Sequence, residues 1–346
     1  MTTIAAAPRI VVVGPAWVGD MVLAQSLFLR LKARQPDCRI DVLAPPWSAP
    51  VLARMPQVRA AIPLPVKHGE LGWRVRRRVA RDLRERGYHQ AIVLPSSLKS
   101  ALAPFWAGID RRTGYVGEQR RWLLNDIRRL DTAALPMTVQ RFVALGAAAG
   151  EPLGDIPRPR LQVRASDVAA ACRALAVAPN DRPLLGLCPG AEYGAAKRWP
   201  AERFAALANH YLDRGWQVWL FGSGNDAGIT RQIRALAPQT CDLAGRTDLA
   251  QAIDLMSLCT AVVSNDSGLM HVAAALARPL IAIYGASDPG MTPPLSDRAQ
   301  VLRLGLPCSP CFRRDCPLGH TDCLTGIAVD AVIDALTHRL SDTATR

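Results

Sequence analysis

Short apolar runs recur along the whole chain, each closed by a small polar loop and followed by a helical stretch or a further apolar run. Arg9 to Gly14 reads as a strand, Pro15 to Asp20 as its loop, a helix is expected from about Met21 to Arg34, and Ile40 to Ala44 reads as a second strand. Gln90 to Pro95 is another strand, ending in the polar loop Ser96-Ser97-Leu98-Lys99-Ser100. Prolines at 152, 157, 159, 179 and 183 then interrupt the pattern, with one helix expected at about 165–176. Beyond them the plan restarts. Leu184 to Cys188 is a strand, Pro189 to Gly194 a loop, Lys197-Arg198-Trp199-Pro200 introduces a helix from near Ala201, and Trp216 to Phe221 is a strand ending in Gly222-Ser223-Gly224. Ala261-Val262-Val263 breaks at Asn265-Asp266-Ser267-Gly268, resumes as an Ala-rich helix stopping at Pro279, and is followed by the strand Leu280 to Gly285. Unbroken apolar runs alternating with helices are the pattern of a parallel sheet buried on both faces. The repeat of the plan, and a length of 346, predict an α/β protein of two doubly wound domains. The expected divisions are 1–160, a linker region at 161–182, a second domain at 183–325, and a C-terminal helix at 326–346 packing back toward the first domain.

In open α/β sheets ligands bind beyond the carboxyl ends of strands, so the loops carry the candidate chemistry. Ser267 and Gly268 stand where a new helix offers free N–H groups and its positive dipole end to an anion. His271 follows one turn later, and Asp266 suits ribose or sugar hydroxyls rather than phosphate. The plainer reading is a helix capped by Asp266 or Ser267 with a core histidine. The first loop holds only Gly14 and Gly19, not the G-x-G-x-x-G of dinucleotide binding. Asp20 is either the N-cap of its helix or a carboxylate aimed at a ligand.

Charge divides the chain. Residues 1–165 hold 26 Lys/Arg against 12 Asp/Glu, a net +14, while residues 166–346 hold 16 against 17, a net −1. The first half is therefore expected to face an anionic partner: nucleic acid, a membrane surface or an acidic substrate. Seven arginines crowd 74–86 within a helix expected over 67–88, with Val75, Val79, Leu83 and Tyr88 as its apolar stripe. They are either a solvated face or a phosphate- and carboxylate-binding one. Arg111-Arg112 and Arg120-Arg121-Trp122 add further basic positions. No groove-reading motif accompanies them, which argues against nucleic acid. No apolar run reaches the roughly 18 residues of a membrane span. Residues 1–9 lack a signal-peptide pattern, and nine cysteines without one point to a reducing cytoplasm. Four of these follow the spacing Cys308-x2-Cys311-x4-Cys316-x6-Cys323. That is either a zinc site or a loop of free thiols.

Six segments together resemble the ADP-heptose:lipopolysaccharide heptosyltransferases, inverting glycosyltransferases with the two-Rossmann GT-B fold. They are Pro15 to Leu23 (PAWVGDMVL), Leu94 to Ala103 (LPSSLKSALA), Arg112 to Asn125, Cys188 to Phe204 (CPGAEYGAAKRWPAERF), Ser264 to Leu276 (SNDSGLMHVAAAL) and Cys308 to Leu324. PGAEYGAAKRWP and LPSSLKSALAPFWAGI are more similar to the second transferase of the family than to the first. The resemblance implies ADP-heptose as donor and the heptose on a Kdo-lipid A inner core as acceptor, with neighbouring core sugars as the alternative acceptors. A nucleotide-sugar epimerase of the same shape is the more distant alternative. The resemblance implies Asp20 as the base, Lys197 on the donor diphosphate with Ser267, Gly268 and the helix end, Asp266 on the donor sugar with His271 beside it, and Thr247 and Leu249 near adenine. Ser97, Lys99, Arg76, Arg77 and Arg120 fall on the acceptor side. No metal is required in this picture. A monomer acting at the anionic inner face of the inner membrane, peripheral and without nucleic acid, is what it implies for partners and location.

Overall fold

The computed structural model describes residues 7–67, 69–178 and 180–344. The chain divides into two compact units, Met1–Pro159 and Arg160–Arg346, each built on its own six-stranded parallel sheet.

The first unit holds β1 (Arg9–Val13), β2 (Arg39–Ala44), β3 (Val58–Pro63), β4 (Gln90–Val93), β5 (Arg111–Tyr115) and β6 (Asp126–Arg128), in the order β3-β2-β1-β4-β5-β6. Its helices are α1 (Val18–Arg34), α2 (Ala49–Leu52), α3 (Trp73–Glu85), α4 (Leu98–Trp106) and α5 (Thr138–Ala144). The central strand β1 is almost wholly buried, whereas the edge strand β3 alternates between inward and outward residues. Helix α3 starts at Trp73 rather than at Lys67, after Gly72 in a left-handed conformation. Its Val79, Ala80 and Leu83 join Val11, Val13, Val93 and Leu102 in the core.

The second unit holds β7 (Leu184–Cys188), β8 (Gln217–Leu220), β9 (Cys241–Asp242), β10 (Ala261–Asn265), β11 (Leu280–Ile283) and β12 (Ala299–Leu302), in the order β12-β11-β10-β7-β8-β9. Read from the other edge this is the same winding as in the first unit: the unit's own third, second, first, fourth, fifth and sixth strands. The expectation of two doubly wound α/β domains is met in both. In each sheet the order reverses between the first and fourth strands, β1/β4 and β7/β10, and that switch point is where such sheets bind ligands.

The helices of the second unit are α6 (Ala165–Leu175), α7 (Ala201–Leu212), α8 (Ala227–Leu236), α9 (Leu249–Met256), α10 (Gly268–Ala275), α11 (Asp322–Thr325) and α12 (Val329–Ala344). Within the stretch 161–182, α6 packs on α9, and the Leu161 amide donates to the Ala275 carbonyl at 3.0 Å. The C-terminal helix α12 packs on α7, β11 and β12 of its own unit. Its Val332, Ala335 and Leu336 are buried in one core with Trp199, Phe204, Ile281 and Ile283. The physical reason is that these side chains complete the apolar face left open by β11 and α7.

Candidate functional site

At the β7/β10 switch point, one asparagine holds two loops together. Asn265, at the end of β10, is fully buried. Its Nδ2 donates to the Pro189 carbonyl at 2.7 Å, and its Oδ1 accepts from the Trp199 amide at 3.0 Å. Trp199 is itself fully buried, and its indole N–H donates to the Ile327 carbonyl at 3.0 Å. The loop after β7 is thereby clamped at both ends, and Lys197 sits in the short 3₁₀ turn between the clamps.

Lys197 Nζ donates to Asp266 Oδ2 at 2.5 Å, and the Ser287 hydroxyl donates to the same oxygen. Asp266 and Ser287 are buried and Lys197 nearly so, so charge interactions here are screened far less than at the surface. The ammonium also lies 5.0 Å from the centre of the Tyr193 ring, on which Arg314 stacks at 5.5 Å. Burial, together with Asp266 and Asp288, holds the Tyr284 phenol well above its usual range.

Ser267 is the N-cap of α10, with extended backbone and no side-chain cap bond, so the amides of the first turn are not closed off by its hydroxyl. That hydroxyl lies 3.3 Å from the Ser264 hydroxyl. Gly268 is the first residue of the helix. His271 is buried one turn in, and its Nδ1 has no hydrogen-bond partner. Burial pushes its pKa down to about 4, against the opposing pull of Asp266 and with a further push from Lys197. The imidazole is therefore neutral at physiological pH. The plainer reading of this stretch predicts a cap bond and a satisfied core histidine, and neither is present.

Sequence reasoning missed Asp226. Its Oδ2 accepts from the Ser223 amide and hydroxyl, both at 2.9 Å, while its Oδ1 is buried without a partner. The end of β7 passes directly over it: a Cβ on Gly190 would come within 2.3 Å of the carboxylate. The signal in the sequence is the glycine pair, Gly190 and the Gly222-Ser223-Gly224 turn, spaced to let a carboxylate lie beneath both strand ends. Thr247 and Leu249 lie one strand further out, after β9. Thr247 Oγ1 donates to the Leu243 carbonyl at 3.3 Å, and Leu249 opens α9 behind the Asp248–Gln251 capping box.

The β1/β4 switch point of the first unit carries a different set. Asp20 is the third residue of α1 and half-buried; the N-cap is Trp17, so Asp20 is not the cap. The helix dipole favours its ionised form. Beyond β4, Ser97 is the N-cap of α4 without a side-chain cap bond, and Lys99 follows in its first turn, both half-buried.

Two arginines expected on the acceptor side are buried. Arg120 is fully buried. It donates to the carbonyls of Pro95 (2.5 Å), Ser97 (3.2 Å) and Tyr115 (2.7 Å) and to the Ser100 hydroxyl (3.0 Å). Burial pulls its pKa down to about 10 against the charge of Glu118. It ties the Pro95–Ser97 segment to the Tyr115 carbonyl. Arg76 is likewise buried and donates to the Leu71 carbonyl at 2.7 Å. Arg74, Arg77, Arg78 and Arg81 are exposed, with the Arg77 guanidinium over Trp73 and Trp106 at 5.9 and 5.6 Å.

Among the described residues, no group of three or more His, Cys, Asp or Glu is spaced as it stands to hold a metal ion. Cys308, Cys311, Cys316 and Cys323 are free thiols, Cys308 exposed and the others half-buried. No helix among the described residues is long and apolar enough to cross a membrane.

Known proteins align with this arrangement. The sequence model described as "Glycosyltransferase family 9 (heptosyltransferase)" matches residues 76–322. Lipopolysaccharide heptosyltransferase 2 of Escherichia coli (strain K12) is 46% identical over 339 residues, covering 95% of this chain and 97% of that one. The protein of the same name from Salmonella typhimurium (strain LT2) is 47% identical over 345 residues, covering 96% and 99%. Among solved structures, that of E. coli ADP-heptose lps heptosyltransferase II superposes with a TM-score of 0.86 at 43% identity, covering 97% of this chain and 99% of that one.

Proposed function

The chain belongs to glycosyltransferase family 9, the heptosyltransferases, and on that premise we propose that it transfers L-glycero-D-manno-heptose from ADP-heptose to the heptose of a Kdo-lipid A inner core. The observation that carries this reading is the buried Lys197–Asp266–Ser287 network beside the open N-terminus of α10. A cation and free amides there suit a diphosphate, and a buried carboxylate suits sugar hydroxyls.

Transfer is one in-line displacement at the anomeric carbon. The acceptor hydroxyl gives its proton to the Asp20 carboxylate, its oxygen bonds to the anomeric carbon, and the bond to the diphosphate breaks with its electron pair leaving on ADP. Lys197, Ser267, Gly268 and the α10 dipole stabilise that growing charge. Neutral His271 offers Nδ1 at the edge of the same site without adding charge, and Asp266 orients the donor sugar. Thr247 and Leu249 border the adenine. On the acceptor side, Ser97 and Lys99 meet the Kdo carboxylates or core phosphates. The exposed arginines of α3, led by Arg77, bring the enzyme as a peripheral monomer to the anionic cytoplasmic leaflet.

The test is transfer of labelled heptose from ADP-heptose to Kdo-lipid A carrying zero, one or two heptoses. Product only on the one-heptose acceptor is expected. Product only on the zero- or two-heptose acceptor would move the enzyme to a neighbouring step, and turnover of ADP-heptose into an isomer without acceptor would make it an epimerase.

A further inference from the structure

The first half of the chain carries the excess of positive charge, yet its stretches 10–19 and 42–53 contain no charged residue. They comprise most of β1 and the end of β2 with the loops beyond them, and Asp20 follows the first directly. Each loop holds one tryptophan out of the core. Trp17 is 45% exposed and Trp47 44%, whereas Trp199 and Trp219 of the second unit are buried. Ala16 and Pro46 beside them are exposed as well. Leaving side chains of this size in water forfeits their burial, and neighbouring exposed apolar groups mark a contact surface.

The two loops leave the sheet side by side. β1 and β2 pair in parallel with Val13 opposite Leu43, and the Gly14 amide donates to the Leu43 carbonyl at 2.9 Å. Neighbouring strands lie about 4.8 Å apart. Trp17 is the N-cap of α1 and its carbonyl accepts from the Met21 amide at 2.9 Å, so Asp20 sits within the turn that Trp17 opens. Trp47 is the middle residue of the 3₁₀ turn Pro46–Ser48. Buried Ser48 closes that turn, its amide and hydroxyl both donating to the Pro45 carbonyl at 3.0 and 2.6 Å. Pro45 and Pro46 fix the approach by their locked φ. Helix α2 follows at once and packs on α1, which keeps Trp47 beside the helix that carries Trp17 and Asp20.

We propose that Trp17 and Trp47 form a stacking platform for an uncharged pyranose ring, the accepting heptose, which presents its hydroxyl to Asp20. The inference rests on the transfer reaction proposed above and names where the acceptor ring lies. A pyranose has faces of C–H groups and a rim of hydroxyls. An indole face, negative through its quadrupole, suits the first, and the indole N–H can donate to the second. A phosphate or carboxylate would call for the lysines and arginines that these two loops lack. The uncharged ring therefore belongs at the tryptophans, and its anionic neighbours belong with Lys99 and Ser97 beyond β4. Stacking holds the acceptor in ground and transition states alike, so its loss is felt in KM more than in kcat.

The experiment reads the two rings directly. Full-length protein is labelled with 5-fluorotryptophan, and among its eight tryptophan signals those of Trp17 and Trp47 are assigned with Trp17→Phe and Trp47→Phe. The probe is a soluble heptosyl-Kdo disaccharide without lipid. It should shift the fluorine signals of Trp17 and Trp47 and leave exposed Trp122 in place. In transfer assays Trp17→Ala and Trp47→Ala should each raise the acceptor KM by roughly 3–10-fold with kcat near wild type, and Trp17→Tyr and Trp47→Tyr should recover most of the loss. Unmoved Trp17 and Trp47 signals in protein that transfers heptose would overturn the proposal, as would an unchanged acceptor KM in either Ala variant. Anionic vesicles free of acceptor that shift both signals would overturn it in favour of a lipid-contact surface. Wild-type protein that transfers heptose to no core acceptor would instead overturn the reading beneath it, and the platform with it.

Discussion

The carboxyl ends of β1 and β4 in the first unit and of β7 and β10 in the second occupy the same place in the same winding, yet they are furnished differently. At β7/β10 the charged side chains face the site and are buried: Lys197 on Asp266, Ser287 on the same carboxylate, His271 neutral beside them. At β1/β4 the buried charge, Arg120, is turned away and spent on carbonyls, while Asp20, Ser97 and Lys99 are left half-exposed. Preorganised buried charge suits a ligand of fixed shape and charge, such as a nucleotide diphosphate. A half-exposed carboxylate on a rigid helix suits a group that must take up a proton and meet a large, variable acceptor. On the proposed function, one topology supports two tasks because the fold fixes where loops emerge and the loops fix the chemistry.

The largest expected effect falls on the first unit. Asp20→Asn should lower turnover by roughly 10²–10⁴ while ADP affinity, measured by calorimetry, stays within about twofold. A near-normal rate would remove Asp20 as the base and erase the distinction between the switch points. Next comes Lys197→Ala. It should weaken ADP binding by about 10–100-fold and slow transfer, because the diphosphate loses its charge partner in both ground and transition states. Unchanged ADP binding would take Lys197 out of the donor site.

His271 sharpens the comparison through pH. Its pKa is about 4 in the fold and near 6.5 when unfolded, so below pH 6.5 the unfolded chain binds the extra proton. Stability from this residue is complete above about pH 6.5 and is lost as pH falls toward 4, by on the order of 3 kcal/mol. Denaturant melts of wild type and His271→Gln between pH 7 and 4 read this directly. Equal acid sensitivity in both would show that the imidazole is not the group responsible.

The smallest effect concerns the exposed arginines. Replacing Arg74, Arg77 and Arg78 together by Gln should raise the apparent KM for acceptor a few-fold and weaken binding to anionic vesicles. ADP affinity should not change. Raised salt should mimic the variant, since the attraction is screened over about 8 Å at physiological ionic strength. Unaltered vesicle binding would leave the run as a solvated helix face.

Much of this division was legible in the sequence because it is local. A strand, a short polar loop and a helix start can be read within twenty residues, and that placed Asp20, Lys197, Asp266, Ser267 and His271 at strand ends. The burial of Arg120 was not legible, because its partners lie on distant backbone. Arg120 satisfies carbonyls at 95 and 97, more than twenty residues away, and no local pattern shows that those carbonyls need a donor. Asp226 was missed for a similar reason: its unpaired oxygen has meaning only once Gly190 of another strand lies over it. The packing of α6 on α9 within the linker region 161–182 was not legible either, because the prolines around it are local and that contact is not.

Hydrogen–deuterium exchange with and without ADP tests the division between the two switch points most directly. The account predicts slowed exchange on ADP binding at 189–199 and 264–272, with 17–21 and 96–100 nearly unchanged. Slowed exchange at 96–100 and 17–21 with none at 264–272 would contradict it and place the nucleotide at the switch point of the first unit.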